Sequence, residues 1–250
     1  MRKFLKAIIL LLFLWRILVP LGVFAQESST PEVPVDTSSL AFSGDIEILI
    51  KDGKWDEASS LLEKELLAKP FDPQLMALYT KVLALQRKWD LFFSVAEKTQ
   101  ALNSKDSKVQ RNYEDSLSLA YDEGIALARE GQFEQGLDLL QKIESLGYAK
   151  DRWLVDQIVI SVWQKKFEDA IVQYESLPPT VIASEYLLRA MIAPYRELGQ
   201  QEKLLELYEK IFEYNPEDVA IRRAAFEAAL TLKSFDLAHE YSQALSAIEA

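Results

Sequence analysis

KDGKWDEA, Lys51 to Ala58, gathers Asp52, Gly53, Asp56 and Glu57 in one short stretch, the ingredients of a cation- or phosphate-binding loop. QRKWDLFF, REGQFEQG, QKKFEDAI and LKSFDLAH follow it with an aromatic residue at the same place. These aromatics are Trp55, Trp89, Phe133, Phe167 and Phe235, with spacings of 34, 44, 34 and 68 residues. Since 68 is twice 34, a missing member falls on Gln201, where Gly199, Leu204, Tyr208, Ile211 and Pro216 keep the register. KDGKWDEA is therefore the punctuation of a repeat present six times. Asp52 and Gly53 are expected to end one helix and make the tight turn. Trp55 is expected to pack between two helices, Asp56 and Glu57 to cap the second, and Ala58 to allow close approach.

Outside these turns the apolar residues recur at helical spacing, as in Leu188, Met191, Ile192 and Tyr195, or Leu204, Leu207, Tyr208, Ile211 and Phe212. Few runs alternate as a strand would, so the class is all-α. A 34-residue helix-turn-helix period with Gly53, Trp55, Ala58, Leu62 and Pro70 in this order resembles the tetratricopeptide repeat (TPR) family. The resemblance implies a right-handed α-α solenoid of about six units, at 39–72, 73–106, 117–150, 151–184, 185–218 and 219–250. One hairpin cannot bury its apolar face alone, so neighbours stack and stability sums over their interfaces. The small position of the second helix reads Ala58, Phe92, Gly136, Ala170, Leu204 and Ala238.

Composition narrows the chemistry. A formal charge of −11 and a pI near 4.8 argue against a general nucleic-acid binder, which needs a cationic face. With no cysteine and one histidine, His239, thiolate nucleophiles, disulfides, zinc knuckles and histidine-based triads are excluded. The Glu-rich segment EKLLELYEKIFE is spaced as a solvated helix face beside Lys203 and Lys210 rather than as an acid–base pair. No nucleophile, phosphate loop or cofactor motif is present, so no catalytic residue, metal or cofactor is expected.

Residues 1–25, MRKFLKAIILLLFLWRILVPLGVFA, order Arg2, Lys3 and Lys6, an apolar run, then Val23, Phe24 and Ala25. This resembles a secretory signal peptide. The alternative is an anchor over 7–25, with Arg16 near mid-bilayer at a cost of about 2.5–3.5 kcal/mol. Either arrangement sends the body of the chain across the membrane, and loss of the four basic residues takes the charge from −11 to −15. Residues 26–38 carry Pro31 and Pro34 without apolar period and are expected to form a flexible polar linker.

Three breaks interrupt the pattern. Ten extra residues within Asn103 to Ser116 predict a polar loop and a longer third first-helix. Pro194 falls inside a helical run and predicts a kink between Ala190 and Pro194. The last helix still offers Tyr241, Leu245 and Ile248, expected as an edge for self-association or docking.

In the family, side chains at the second, fifth, ninth, twelfth and thirteenth positions of a repeat line the concave wall. Those positions in the second half give Arg152, Val155, Val159, Val162 and Trp163, then Tyr186, Arg189, Ala193 and Arg196, then Arg223 and Leu230. Arginine beside aromatic surface in an acidic protein suits a carboxylate-bearing, partly apolar ligand. The competing arrangement pairs these arginines with Glu185, Glu197 and Glu227 and uses Trp163 as filler between repeats. The ninth positions, Glu47, Lys81, Ile125, Val159, Ala193 and Glu227, lack the asparagines of a carboxylate clamp. The expected function is a non-catalytic scaffold or adaptor of the bacterial envelope, periplasmic or anchored facing the periplasm, holding another envelope protein or peptide. The alternative is an accessory subunit that binds a small acidic ligand or peptide for a transporter or cell-wall enzyme. No nucleic-acid partner is expected, and a homo-oligomer through the last repeat is.

Overall fold

A computed structural model describes residues 37–181 and 184–249 of a chain that divides between Ala41 and Phe42 into two units. The expected signal or anchor segment and nearly all of the linker lie outside the described residues. The second unit is an all-α solenoid of helical hairpins, with no strand among the described residues. Its hairpins pair α1 (Thr37–Lys51), whose residues from Phe42 onward belong to this unit, with α2 (Trp55–Ala68), α3 (Pro73–Leu85) with α4 (Trp89–Ala101), and α5 (Ser107–Arg129) with α6 (Phe133–Ser145). They continue with α7 (Lys150–Trp163) and α8 (Phe167–Glu175), α9 (Glu185–Glu197) and α10 (Gln201–Tyr214), and α11 (Val219–Thr231) and α12 (Phe235–Glu249). Thr37 and Ser38, expected in the linker, open α1.

Every hairpin turn closes in the same way. The residue two before each turn aromatic, or before Gln201, is left-handed: Gly53, Arg87, Gly131, Lys165, Gly199 and Lys233. The next amide reaches back to the carbonyl five residues earlier, as Lys54 N to Leu49 O at 2.9 Å and Lys166 N to Ser161 O at 2.9 Å, which satisfies a carbonyl the helix end would leave open. Trp55 is the first residue of α2 and is 37% exposed, so it does not fill the hairpin interior as expected. Nor are the acids of KDGKWDEA caps. Lys54 is the N-cap of α2 and makes no side-chain cap bond. Asp56 and Glu57 lie in the first turn, where the helix dipole favours negative charge.

Four of the six first helices have true side-chain caps, whereas α7 (Lys150–Trp163) begins after the left-handed Ala149 with none. Asp72, Asp106, Ser184 and Asp218 accept from the first-turn amides of α3, α5, α9 and α11. The extra residues form the opening turns of α5 rather than a long loop, and Asp106 accepts from Lys108 N at 2.7 Å. These turns lie along the earlier first-helices: Val109 is buried, Lys108 pairs with Glu47 at 2.7 Å and Asp115 with Lys81 at 2.8 Å. Pro194 is buried inside α9, whose helical span runs unbroken from Glu185 to Glu197.

Apolar burial falls into two clusters. The first runs from Ile46 through Leu62, Leu83, Phe92 and Tyr121 to Ile143 and Ile160. The second begins with Ile158 and Val159 and continues through Met191, Tyr208 and Ala225 to Tyr241. Trp163 packs against both. Tyr241 is only 6% exposed, lies with its ring tilted against Phe212 at 5.9 Å between ring centres and donates to Glu209, so it belongs to the core and not to the expected self-association edge. Leu245 is half-buried, and the side chain of Ile248 is outside the described residues.

Candidate functional site

The first helices α5, α7 and α9 and the α8–α9 connection border an open cleft of about 590 Å³. α5 supplies Ile125 and Arg129, and α7 supplies Asp151, Arg152, Val155 and Asp156. Thr180, Val181 and Ser184 come from the connection, and Tyr186 from the first turn of α9. One turn of α7 thus presents charge, Asp151 and Arg152, and the next presents Val155 and Asp156, because residues three and four apart share a helix face.

Its floor is a closed network. Asp156, 7% exposed, accepts from Tyr121 Oη at 2.8 Å and faces Arg152 Nε at 3.4 Å. Arg152 also reaches Asp122 at 3.1 Å, and its guanidinium stacks 4.4 Å from the centre of the Tyr121 ring. Burial pushes the Asp156 carboxyl above the usual carboxylate range, against the pull of Tyr121 and Arg152. Burial opposes the charge on Arg152, but the Asp122 and Asp156 carboxylates hold its acidity lower still, so the guanidinium stays ionised. Tyr186 is 47% exposed at the rim, and burial followed by the nearby Asp156 charge raises its hydroxyl above the ordinary value.

Of the expected wall residues, the structure brings Arg152, Val155 and Tyr186 into this lining. Trp163 stands behind it, its ring 5.7 Å from the Arg129 guanidinium. Val159 does not reach the wall: at 2% exposure it is core, because it points into the second cluster. Arg189 is engaged elsewhere, bonded to Glu185 at 2.8 Å and to Asp218 at 2.6 Å, where it ties α9 to the cap of α11. Arg196 donates to Tyr208 Oη at 3.2 Å. Neither these two nor the exposed Arg223 lines the cavity. The four arginines therefore do not form one patch. The pairing of Arg189 with Glu185 was legible from their spacing, and its bond to the Asp218 cap was not.

Arg129 and Asp151 were missed. Arg129 occupies the thirteenth position of the repeat at 117–150, so the same positional rule applied one repeat earlier finds it. Asp151 occupies a first position, outside that rule, and only the tertiary arrangement shows it. No group of three or more His, Cys, Asp or Glu side chains suited to a metal ion occurs among the described residues, and the exposed His239 contacts Gln243 at 2.9 Å.

No family model and no curated protein matches the sequence. Among solved structures the chain is similar to a chain of the APC/C hetero-tetramer Cut9-Hcn1, with 13% identity and a TM-score of 0.41, over 84% of this chain and 40% of that one. It is similar to Pseudomonas aeruginosa pilF, with 15% identity and a TM-score of 0.42, over 85% of this chain and 92% of that one. A thermophilic TPR protein of Thermus thermophilus gives 17% identity and a TM-score of 0.33, over 76% of this chain and 98% of that one.

Proposed function

We propose that this chain is a non-catalytic protein-interaction scaffold of the bacterial cell envelope that receives a partner's segment in the cavity between α5, α7 and α9. The observation that carries the reading is the lining itself, where apolar Ile125, Val155 and Val181 adjoin acidic and basic side chains and the rim Tyr186. Apolar area supplies affinity and a few placed polar groups supply selectivity. The absence of cysteine and the single histidine support a binding rather than a catalytic role, and the basic-then-apolar order of residues 2–25 supports export. Asp151 and Asp156 in the lining disfavour the alternative of a small, purely acidic ligand, which would meet like charge there.

The test is crosslinking and capture from a cell envelope with the full chain and with Val155→Trp, which fills the cavity from a half-buried position. Loss of one specific partner in the variant, with helical circular dichroism retained, is the expected result. Equal capture by both proteins would move the working surface elsewhere.

A further inference from the structure

The cleft is bordered by two solvent-exposed charges of opposite sign, Arg129 and Asp151, that form no ion pair among the described residues. The Arg129 guanidinium lies over the Trp163 ring and forms no ion pair there. Asp151, in the first turn of α7, forms none either, and the two do not pair with each other. Their neighbours differ: Arg152 and Asp156 are matched to one another, with Asp122 and Tyr121 completing the set. The rest of the lining is uncharged, made of three apolar side chains, two hydroxyls and Tyr186.

Charge that is left open beside a cavity constrains what fills it. A segment carrying acid alone would pair with Arg129 but bring its own charge against Asp151 and would desolvate that carboxylate without a partner. A segment carrying base alone would do the same to Arg129. The chain's net charge of −11 further disfavours an acidic run. A ligand with both signs pairs both groups at once and leaves neither to be covered without a partner.

We infer that the segment bound here carries an acidic and a basic side chain on one short stretch, the acid seated on Arg129 and the base on Asp151. This rests on the groove reading above. The chemistry is that of a zwitterion, and a peptide can offer both charges together with apolar contact to Ile125 and Val155, which line the same cleft. Bidentate geometry at Arg129 adds orientation to the pairing.

The experiment selects a random displayed peptide library on the full chain and, in parallel, on Val155→Trp. Peptides recovered only on the parent chain should carry an acid and a base at fixed spacing. Arg129→Glu and Asp151→Lys should each weaken a synthetic peptide of that set by about tenfold or more. The double variant should regain affinity for the same peptide with its acid and base exchanged. Cavity-dependent peptides without a charge pair would overturn this inference and leave the groove reading standing. No cavity-dependent peptide at all would sink both. A free glutamyl-lysine dipeptide bound as tightly as the selected peptide would overturn the assignment to a protein segment in favour of a small zwitterion.

Discussion

Asp218 carries two tasks in one carboxylate. Its Oδ1 accepts from Ile221 N at 3.0 Å as the cap of α11, and its Oδ2 accepts from Arg189 at 2.6 Å across the repeat boundary. The Ile221 amide first, and then the Arg189 guanidinium, hold the carboxyl below the usual range. A depressed folded value contributes stability that is present above the unfolded value of about 3.9 and is lost as pH falls through the folded one. Asp218→Ala should therefore cost about 0.5–2 kcal/mol at neutral pH, the usual worth of an N-cap, and the difference from the parent should shrink below about pH 4. Urea unfolding at several pH values measures it. A gap of constant size down to the acid limit would show that the ionised carboxylate contributes nothing beyond shape. Lysine and arginine at the left-handed turn positions, Lys165 at φ 59°, Lys233 at 57° and Arg87 at 58°, show a different limit at this scale. Glycine in three of the six turns was readable as the turn residue, whereas the other three adopt the same backbone at the cost of a strained Cβ, so that only the period revealed them.

Helix packing depends on what the second helix places opposite the first. In the third hairpin both contacts are glycine: a Cβ on Gly136 of α6 would lie 2.6 Å from the Gly124 carbonyl oxygen of α5 and 2.9 Å from the Ala128 amide. Backbone atoms cannot yield as a side-chain tip does, so Gly136→Ala must push α6 away from α5. The expected cost is about 1–3 kcal/mol, partly offset by the helix propensity of alanine, and it is read as a lowered Tm. A variant at least as stable as the parent would mean that the two helices are free to move apart. Sequence period located this contact, because Gly136 falls at the small position where Ala58, Ala170 and Ala238 stand in other units. What period does not encode is which partner a wall residue meets. Position assigned Arg189 and Arg196 to the same face as Arg152, yet Arg189 is held by a helix cap and Arg196 by a tyrosine hydroxyl on α10, both contributed by other helices. Conversely, α7 places Asp151 beside the wall through the course of its first turn, a matter of how the helix begins after the left-handed Ala149.

Across the solenoid, stability is a sum over neighbours, and the sum is uneven. α5 packs along α3 and along α6, while α7 touches both α5 and α6 lightly. At that junction the core changes hands: Ile160 of α7 belongs to the first cluster and Ile158 and Val159 to the second, and Trp163 at the end of the same helix bears on both. Arg129, reaching from α5 over the Trp163 ring, adds a contact across the same seam. The cavity sits on this seam too, so a bound segment would tie α5, α7 and α9 together and add to the weakest link rather than to the strongest. Trp163→Ala removes the side chain that both clusters share. Its expected loss is about 3 kcal/mol, at the low end for a tryptophan because the ring is only half-buried. More telling than the size is the form of unfolding. With the shared residue gone, α9 to α12 and α3 to α5 should lose their common transition, so that hydrogen exchange in moderate urea reports two groups of amides opening at different denaturant concentrations. Leu140→Ala, confined to the first cluster, should lower stability without separating the groups. If Trp163→Ala instead shifts one transition with its slope unchanged, the two clusters are coupled through the backbone of α7 and not through the indole.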